Sequence, residues 1–227
     1  PAYASGGIAQ SGIILRNTKS ISFGKVDIAD YNNSGIYTMY NSGELGCELL
    51  SIDEFISSNC NIVDTTYRAT ITSVNLTNQM VFIKKANMAV SDNKRGFLYS
   101  NISIGYINAN LNSNGALFVY CTINTSIGAK VDGGTFSSGS KGTITNLVFS
   151  GNVLSSYSGT QSISFIGSTI TATTIANPSE QNNHTATGTT INGVYYSDGK
   201  LDAGWYASIA LGSYRLWVNS SKLYIKS

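Results

Sequence analysis

A short phrase recurs along this chain: a small polar residue, then alternating apolar and polar residues, then a break that contains Gly or Asn. Its four clearest copies begin at Ser20, Asn101, Asn146 and Ser162. Alternation with a period of two predicts short β-strands with one face in a core. Repetition of such strands at intervals of about 20 residues is typical of a stacked solenoid, because no single rung can bury its own apolar face.

The intervals between the apolar segments are unequal. Segments opened by glycine are separated by 23 residues (Gly12 to Gly35), 19 residues (Gly96 to Gly115) and 17 residues (Gly142 to Gly159). A strict genetic repeat does not produce such variation. A parallel β-helix does, since its rungs keep a constant cross-section while their turns vary in length, and we therefore predict this all-β fold.

The composition argues against several classes of partner. Charged residues make up 11% of the chain and the formal net charge is +2, without a run of Lys or Arg, so we expect no nucleic acid partner. No stretch of 18 apolar residues occurs, so we expect no membrane insertion. Three cysteines and one histidine form no metal-binding spacing, and we expect neither a metal nor a cofactor. The polar residues are mainly Ser, Thr, Asn and Gly, which suits the binding of polyols.

The chain divides into three segments by composition. Residues 1–172 carry the strand repeats and are predicted to form the β-helix. Residues 173–191 are rich in Thr, Asn, Gln and Ala and contain the only histidine, His184, which predicts a polar linker. Residues 192–227 are rich in aromatic residues and carry the turn signal Asp198-Gly199, which predicts a small β-rich element.

The last of these segments carries a family resemblance. Residues 212–227 (GSYRLWVNSSKLYIKS) resemble the C-terminal segment of many bacteriophage tailspikes and tail fibres, and the upstream coils resemble the right-handed, pectate-lyase-like parallel β-helix of those proteins. The resemblance implies a homotrimer on the virion tail that binds a bacterial capsular, O-antigen or exopolysaccharide and often cleaves it. It also implies attachment to the rest of a phage tail through an N-terminal part that this chain, which begins with Pro1, is expected to lack.

Aromatic residues near the carboxyl terminus are the candidates for a trimer interface. Large aromatic side chains bury well at symmetric interfaces. The resemblance assigns this clamping role to four residues: Trp205, Tyr206, Trp217 and Tyr224. The alternative is that Trp205 or Trp217 binds sugar.

Candidate catalytic acids lie in the first coils. The tailspike glycosidases that this chain resembles use paired carboxylates on the outer face of the β-helix, one as general acid and one as base. The candidates are Asp27, Asp30, Glu48 and Asp53. Stacked rungs lie about 4.8 Å apart, so acids one or two rungs apart can reach a glycosidase spacing. The alternative is that these are solvated charges that discourage lateral aggregation.

Tyrosines cluster near the same acids and suit sugar binding, because an aromatic ring stacks on the apolar face of a pyranose. The candidate carbohydrate-binding residues are Tyr31, Tyr37, Tyr40, Tyr67 and Arg68. If Ile36 faces inward, Tyr37 is predicted to face outward. The alternative is that these tyrosines reflect strand propensity or packing against another subunit.

Three functions remain open after these observations. The first is a phage receptor-binding protein that recognises a surface polysaccharide. The second is a depolymerase of that polysaccharide, acting as a glycoside hydrolase, with a lyase as the weaker form of this hypothesis. The third is a structural adhesin shaft without catalysis.

Overall fold

In a computed structural model, parallel β-strands wind into successive rungs of one solenoid. The described residues are 11–31, 34–38, 46–58, 69–73, 79–91, 94–156, 162–175, 184–196, 209–211, 214–219 and 222–226. The first strands are β1 (Ile13–Leu15), β2 (Thr18–Ala29), β3 (Ile36–Thr38), β4 (Cys47–Ser58), β5 (Ile71–Ser73), β6 (Met80–Val90), β7 (Arg95–Leu98), β8 (Asn101–Leu111), β9 (Ala116–Val119) and β10 (Thr122–Asp132).

The later strands complete the solenoid and add a separate small sheet. They are β11 (Thr135–Ser138), β12 (Lys141–Thr145), β13 (Leu147–Ser155), β14 (Ser162–Ile166), β15 (Thr169–Thr174), β16 (Thr185–Thr187), β17 (Thr189–Ile191), β18 (Val194–Tyr196), β19 (Ile209–Leu211), β20 (Tyr214–Asn219) and β21 (Lys222–Lys226). Every regular element among the described residues is a β-strand, and all the pairings between rungs are parallel. The predicted all-β parallel β-helix is confirmed.

Each rung presents three faces. In the rung that begins with β8, face 1 is formed by residues 101–104 and face 2 by residues 106–111, with a bend between them. Face 3 is formed by the short strand β9. The long strand β10 shows the division, because its first half pairs with β12 and its second half with β13.

The core is built from columns of apolar side chains that repeat in register. Leu50, Val81, Ile102 and Ile123 align on neighbouring strands of face 1, and all are buried. Each such side chain contributes about 2 kcal/mol through its removal from water. The column exists because the strands alternate apolar and polar residues, as the recurring phrase predicts.

A chain of aromatic contacts runs along the axis of the core. Phe97 stacks on Phe118 with ring centroids 5.3 Å apart, and Phe118 meets Phe136 edge to face at 5.5 Å. Phe136 then contacts Phe165 at 6.2 Å, and Phe165 contacts His184 at 6.0 Å. The solenoid core thus extends as far as His184.

Strand pairing places part of the predicted linker (residues 173–191) in the solenoid. Residues 173–174 end β15, and residues 184–191 form a further rung, since β16 pairs with β14 and β17 pairs with β15, both in parallel. The polar composition did not predict this rung because few of its residues are apolar. The inward apolar residues Ala186 and Ile191 are nevertheless fully buried.

A tight hairpin follows that rung. Strand β18 pairs antiparallel with β17 through the two-residue turn Asn192-Gly193, in which both residues have positive φ. Asn-Gly is the strongest sequence signal for such a turn. This turn was not predicted from the sequence, and the turn that was predicted, Asp198-Gly199, lies outside the described residues.

Strands β19, β20 and β21 form their own three-stranded antiparallel sheet. The predicted small β-rich element near the carboxyl terminus is therefore present.

Candidate functional site

A cleft of about 330 Å³ lies at the first described rung. Its lining combines charged, aromatic and apolar side chains on strands β1 and β2 and the segment that follows: Gly12, Ile13, Phe23, Lys25, Val26, Asp27, Ile28 and Tyr31. This mixture is typical of ligand sites, where a few polar groups orient a ligand on an apolar wall.

The alternation of β2 places these side chains. Val26 and Ile28 point into the core and are 5% exposed, while Lys25 and Asp27 point outward. After the strand, the chain carries Tyr31 back over β1. A Cβ atom at Gly12 would stand 3.0 Å from the Tyr31 ring, so the absence of a side chain there lets the ring lie against the backbone.

The charges beside the cleft are solvated. The Lys25 Nζ lies 3.8 Å from Glu54 Oε2 on the neighbouring rung, and both side chains are more than one-third exposed. Exposed pairs of this kind contribute roughly 0–1 kcal/mol to folding. The lysine is therefore held only weakly, and an anionic ligand can compete with Glu54 for it.

The predicted catalytic acids are all exposed, but they do not converge. Asp27 lines the cleft, and Asp30 ends the same segment with a left-handed φ of 59°, its N–H donating to the Ser58 carbonyl. Glu48 lies near the start of β4 and aligns with Lys19, eight residues before Asp27, which is roughly 26 Å of strand path. Asp53 lies at the bend of β4. Of the four, only Asp27 lines the cleft.

The predicted sugar-binding residues divide in the same way. Tyr31 lines the cleft and is 37% exposed. The prediction that Tyr37 faces outward is wrong, since its side chain is 7% exposed. Tyr40, Tyr67 and Arg68 lie outside the described residues.

The burial of Tyr37 follows from the structure of face 3. Tyr37 aligns with Thr72, Leu98 and Val119 on the next strands, and all four are buried. Leu98 and Val119 belong to a second apolar cluster with Ala69, apart from the main core. Face 3 is thus buried on both of its surfaces in these rungs, and alternation there does not separate inside from outside.

Among the predicted trimer residues, two lie on described strands. Trp217 on β20 aligns with Tyr224 on β21 as an antiparallel backbone pair. Trp205 and Tyr206 lie outside the described residues.

Three ionisable groups among the described residues have perturbed pKa values. Burial lowers the pKa of His184 to about 4, and the Nδ1 of this ring accepts a hydrogen bond from the Ile163 N–H. Burial raises the pKa of the Cys121 thiol to about 12 and also raises that of Cys47. All three lie in the core or at its corners, so their shifts reflect packing and do not mark a catalytic cleft.

No group of three His, Cys, Asp or Glu side chains within the described ranges is placed to hold a metal ion. The same part of the chain has no helix that is long and apolar enough to span a membrane.

Sequence reasoning missed the residues at the bend between faces 1 and 2. There each long strand places two successive residues outward instead of one, as Lys84-Lys85 in β6 and Gly105-Tyr106 in β8. The available signal was the interruption of strict alternation within a strand: two charges at 84 and 85 stand between buried Ile83 and Ala86.

No protein-family model, curated protein or solved structure matches this chain.

Proposed function

We propose that this chain is a receptor-binding part of a phage tailspike or tail fibre, located on the virion tail, that recognises a bacterial surface polysaccharide. The main support is the cleft in which the Tyr31 ring lies beside the outward side chains Lys25 and Asp27. The parallel β-helix supports the proposal more generally, as a rigid scaffold that repeats polar side chains at about 4.8 Å along its length.

The chemistry of the cleft fits a sugar. The Tyr31 ring offers an apolar surface for the C–H face of a pyranose. Asp27 accepts hydrogen bonds from sugar hydroxyls, and Lys25 donates to sugar oxygens. A single site of this size binds weakly, so several copies on one tail would raise the avidity.

Glycan binding tests the proposal. The chain is applied to an array of capsular, O-antigen and exopolysaccharide glycans, and a bound glycan is then titrated with Tyr31→Ala and Asp27→Asn. We expect each variant to bind at least about tenfold more weakly, and Lys141→Gln, an exposed change on face 1, to bind as the wild type does. The absence of binding to every bacterial glycan would reject the proposal and favour a structural shaft.

Hydrolysis of the bound polysaccharide is the second candidate function. It is favoured by the exposure of both Asp27 and Asp30 in the same short segment at the cleft. The two aspartates lie three positions apart along the chain, from which their side chains can reach the carboxylate spacing of about 5–9.5 Å used by glycosidases.

Release of reducing ends from a polysaccharide that binds would demonstrate this activity, and absorbance of unsaturated uronate would identify a lyase. With polysaccharide at a concentration that saturates each variant, Asp27→Asn and Asp30→Asn should each abolish product release. Binding without product in the wild type would leave a lectin-like spike.

We also propose that the chain assembles as a homotrimer. Support comes from three large apolar side chains exposed on face 1, of which Leu49 and Met80 are aligned neighbours and Phe82 follows two residues later. Exposed apolar groups of this kind often mark interfaces. Analytical ultracentrifugation should give a trimer, and Phe82→Lys should shift it toward monomer; a wild-type monomer would exclude the assembly.

A further inference from the structure

The bend between faces 1 and 2 stacks pairs of outward residues from successive rungs. In order along the axis the pairs are Gly24-Lys25, Asp53-Glu54, Lys84-Lys85 and Gly105-Tyr106. Basic, acidic, basic and aromatic side chains therefore follow one another at about 4.8 Å per rung, starting at the rim of the cleft.

The two basic positions differ in their pairing. Lys25 has Glu54 at 3.8 Å, whereas neither Lys84 nor Lys85 lies within ion-pair distance of a described carboxylate. Both ammonium groups are exposed, and each has three donors to offer. These two adjacent lysines stand beside the acidic pair Asp53-Glu54 of the preceding rung, of which Glu54 already faces Lys25, in a chain that is otherwise poor in charge.

The next rung supplies an aromatic surface and an opening. Tyr106 aligns with Lys85 on one side and with Gly128 on the other, where a Cβ atom would lie 3.9 Å from the Tyr106 ring. At Gly105 a Cβ atom would lie 2.5 Å from the carbonyl oxygen of Lys84. Only glycine fits this close approach, so no side chain projects from position 105 beside Tyr106.

Amides complete the surface. Asn87 and Asn108 align on β6 and β8, two residues beyond Lys85 and Tyr106, and both project from face 2. Each amide can donate to and accept from sugar hydroxyls. The side chains from Lys84 to Asn108 thus combine two cations, one aromatic ring and two amides within two adjacent rungs.

We propose that this surface, formed by Lys84, Lys85, Asn87, Tyr106 and Asn108, binds a carboxylate-bearing sugar unit of the polysaccharide. The inference rests on the proposed function and specifies the class of its ligand as acidic. The lysines pair with the carboxylate, the Tyr106 ring stacks on the pyranose and the amides bond the hydroxyls. A chain that also occupies the cleft at Tyr31 would cross three rung spacings, roughly 14 Å.

The test compares acidic and neutral glycans on the intact chain. Polygalacturonate is the acidic probe, dextran is the neutral one, and host capsular and O-antigen glycans of both kinds are included. We expect binding to acidic glycans that weakens as salt rises to about 0.5 M, because screening reduces the attraction of exposed charges.

Variants locate the site. Lys84→Gln with Lys85→Gln should weaken acidic binding about tenfold and reduce its salt dependence, and Tyr106→Ala should weaken it severalfold. The control, Lys19→Gln with Lys141→Gln, makes the same change in net charge elsewhere and should have little effect. Circular dichroism verifies that all variants are folded.

The outcomes separate the two proposals. Binding to neutral glycans alone, or equal loss in the paired lysine variant and its control, overturns the acidic-sugar surface and leaves the polysaccharide receptor intact. Binding to no glycan overturns both.

Discussion

The histidine of the last rung should make the stability of the solenoid depend on pH. His184 is 1% exposed, its ring contacts Phe165, and its Nδ1 accepts a hydrogen bond from the Ile163 N–H at 3.1 Å. An accepting Nδ1 requires the neutral imidazole with its proton on Nε2. That Nε2 has no hydrogen-bond partner among the described residues. Protonation of His184 would place a charge in an apolar core and remove the acceptor of Ile163.

The magnitude follows from the pKa. Burial lowers the pKa of His184 from 6.5 to about 4 in the folded chain. The unfolded chain therefore binds the proton first, and the folded state loses stability as pH falls from about 6.5 toward 4. Each pH unit in this window costs about 1.4 kcal/mol, so the loss relative to pH 7.5 is about 2 kcal/mol at pH 5. Above pH 6.5 the contribution is fully present.

The assay is urea unfolding of the wild type and of His184→Asn between pH 7.5 and pH 5. Asparagine keeps a side-chain oxygen for the Ile163 amide but does not titrate, so the difference between the two chains isolates the imidazole from the carboxylates. Because the chain has one histidine, NMR also follows its pKa directly without assignment. Parallel stability curves, or an imidazole pKa near 6.5, would refute the reasoning.

Three further predictions concern corners and core. Gly139→Ala should destabilise the fold by roughly 1–3 kcal/mol in urea unfolding, because φ is +68° and the new Cβ would lie 2.5 Å from the Tyr120 ring; Gly24→Ala, which meets nothing within 4 Å, is the near-neutral control. Cys121 should resist alkylation in the folded chain and react only in denaturant, as mass spectrometry of its peptide will report, because burial raises its pKa to about 12. Thr189→Val should cost roughly 1–3 kcal/mol of unfolding free energy, since it leaves a buried backbone N–H without its acceptor.

The fold was predictable because the core repeats. Alternation identified the strands, and the 23-residue interval from Gly12 to Gly35 gave the correct register, in which Ile13 pairs with Ile36. The 19-residue interval from Gly96 to Gly115 did not give the correct register. The paired residues are Phe97 and Phe118, which are 21 apart. Gly115 lies in the turn before β9, and turn glycines do not keep a fixed offset from the strand that follows.

The last rung was not predictable from composition. Residues 184–191 are mostly polar, and their inward positions are filled by small or unusual core residues, including a histidine. The rung holds through contacts with the rung before it: the Ser168 N–H donates to Thr189 Oγ1, and the Ile163 N–H donates to His184 Nδ1. Each of these hydrogen bonds joins residues that lie 21 positions apart in the sequence, so they leave no local sequence pattern.

The candidate site was predictable only in part, for a related reason. Alternation correctly placed Asp27 outward on β2, but it failed at Tyr37, where face 3 is buried on both surfaces. Alternation also did not predict the bend, where two successive residues such as Lys84 and Lys85 both face outward. The register between rungs decides which outward residues become neighbours. That register depends on turn lengths, which could not be predicted from the sequence.

Comparison of the columns shows where this chain can encode specificity. A core column must keep the same apolar character from rung to rung, because every rung fills the same cross-section. The outward column at the bend has no such constraint, and it reads Lys25, Glu54, Lys85 and Tyr106. Folding does not require that order of charge and aromaticity, since exposed pairs contribute little to stability. The proposed recognition of a polysaccharide by several rungs at once depends on this order, and the variants at Lys84, Lys85 and Tyr106 test it.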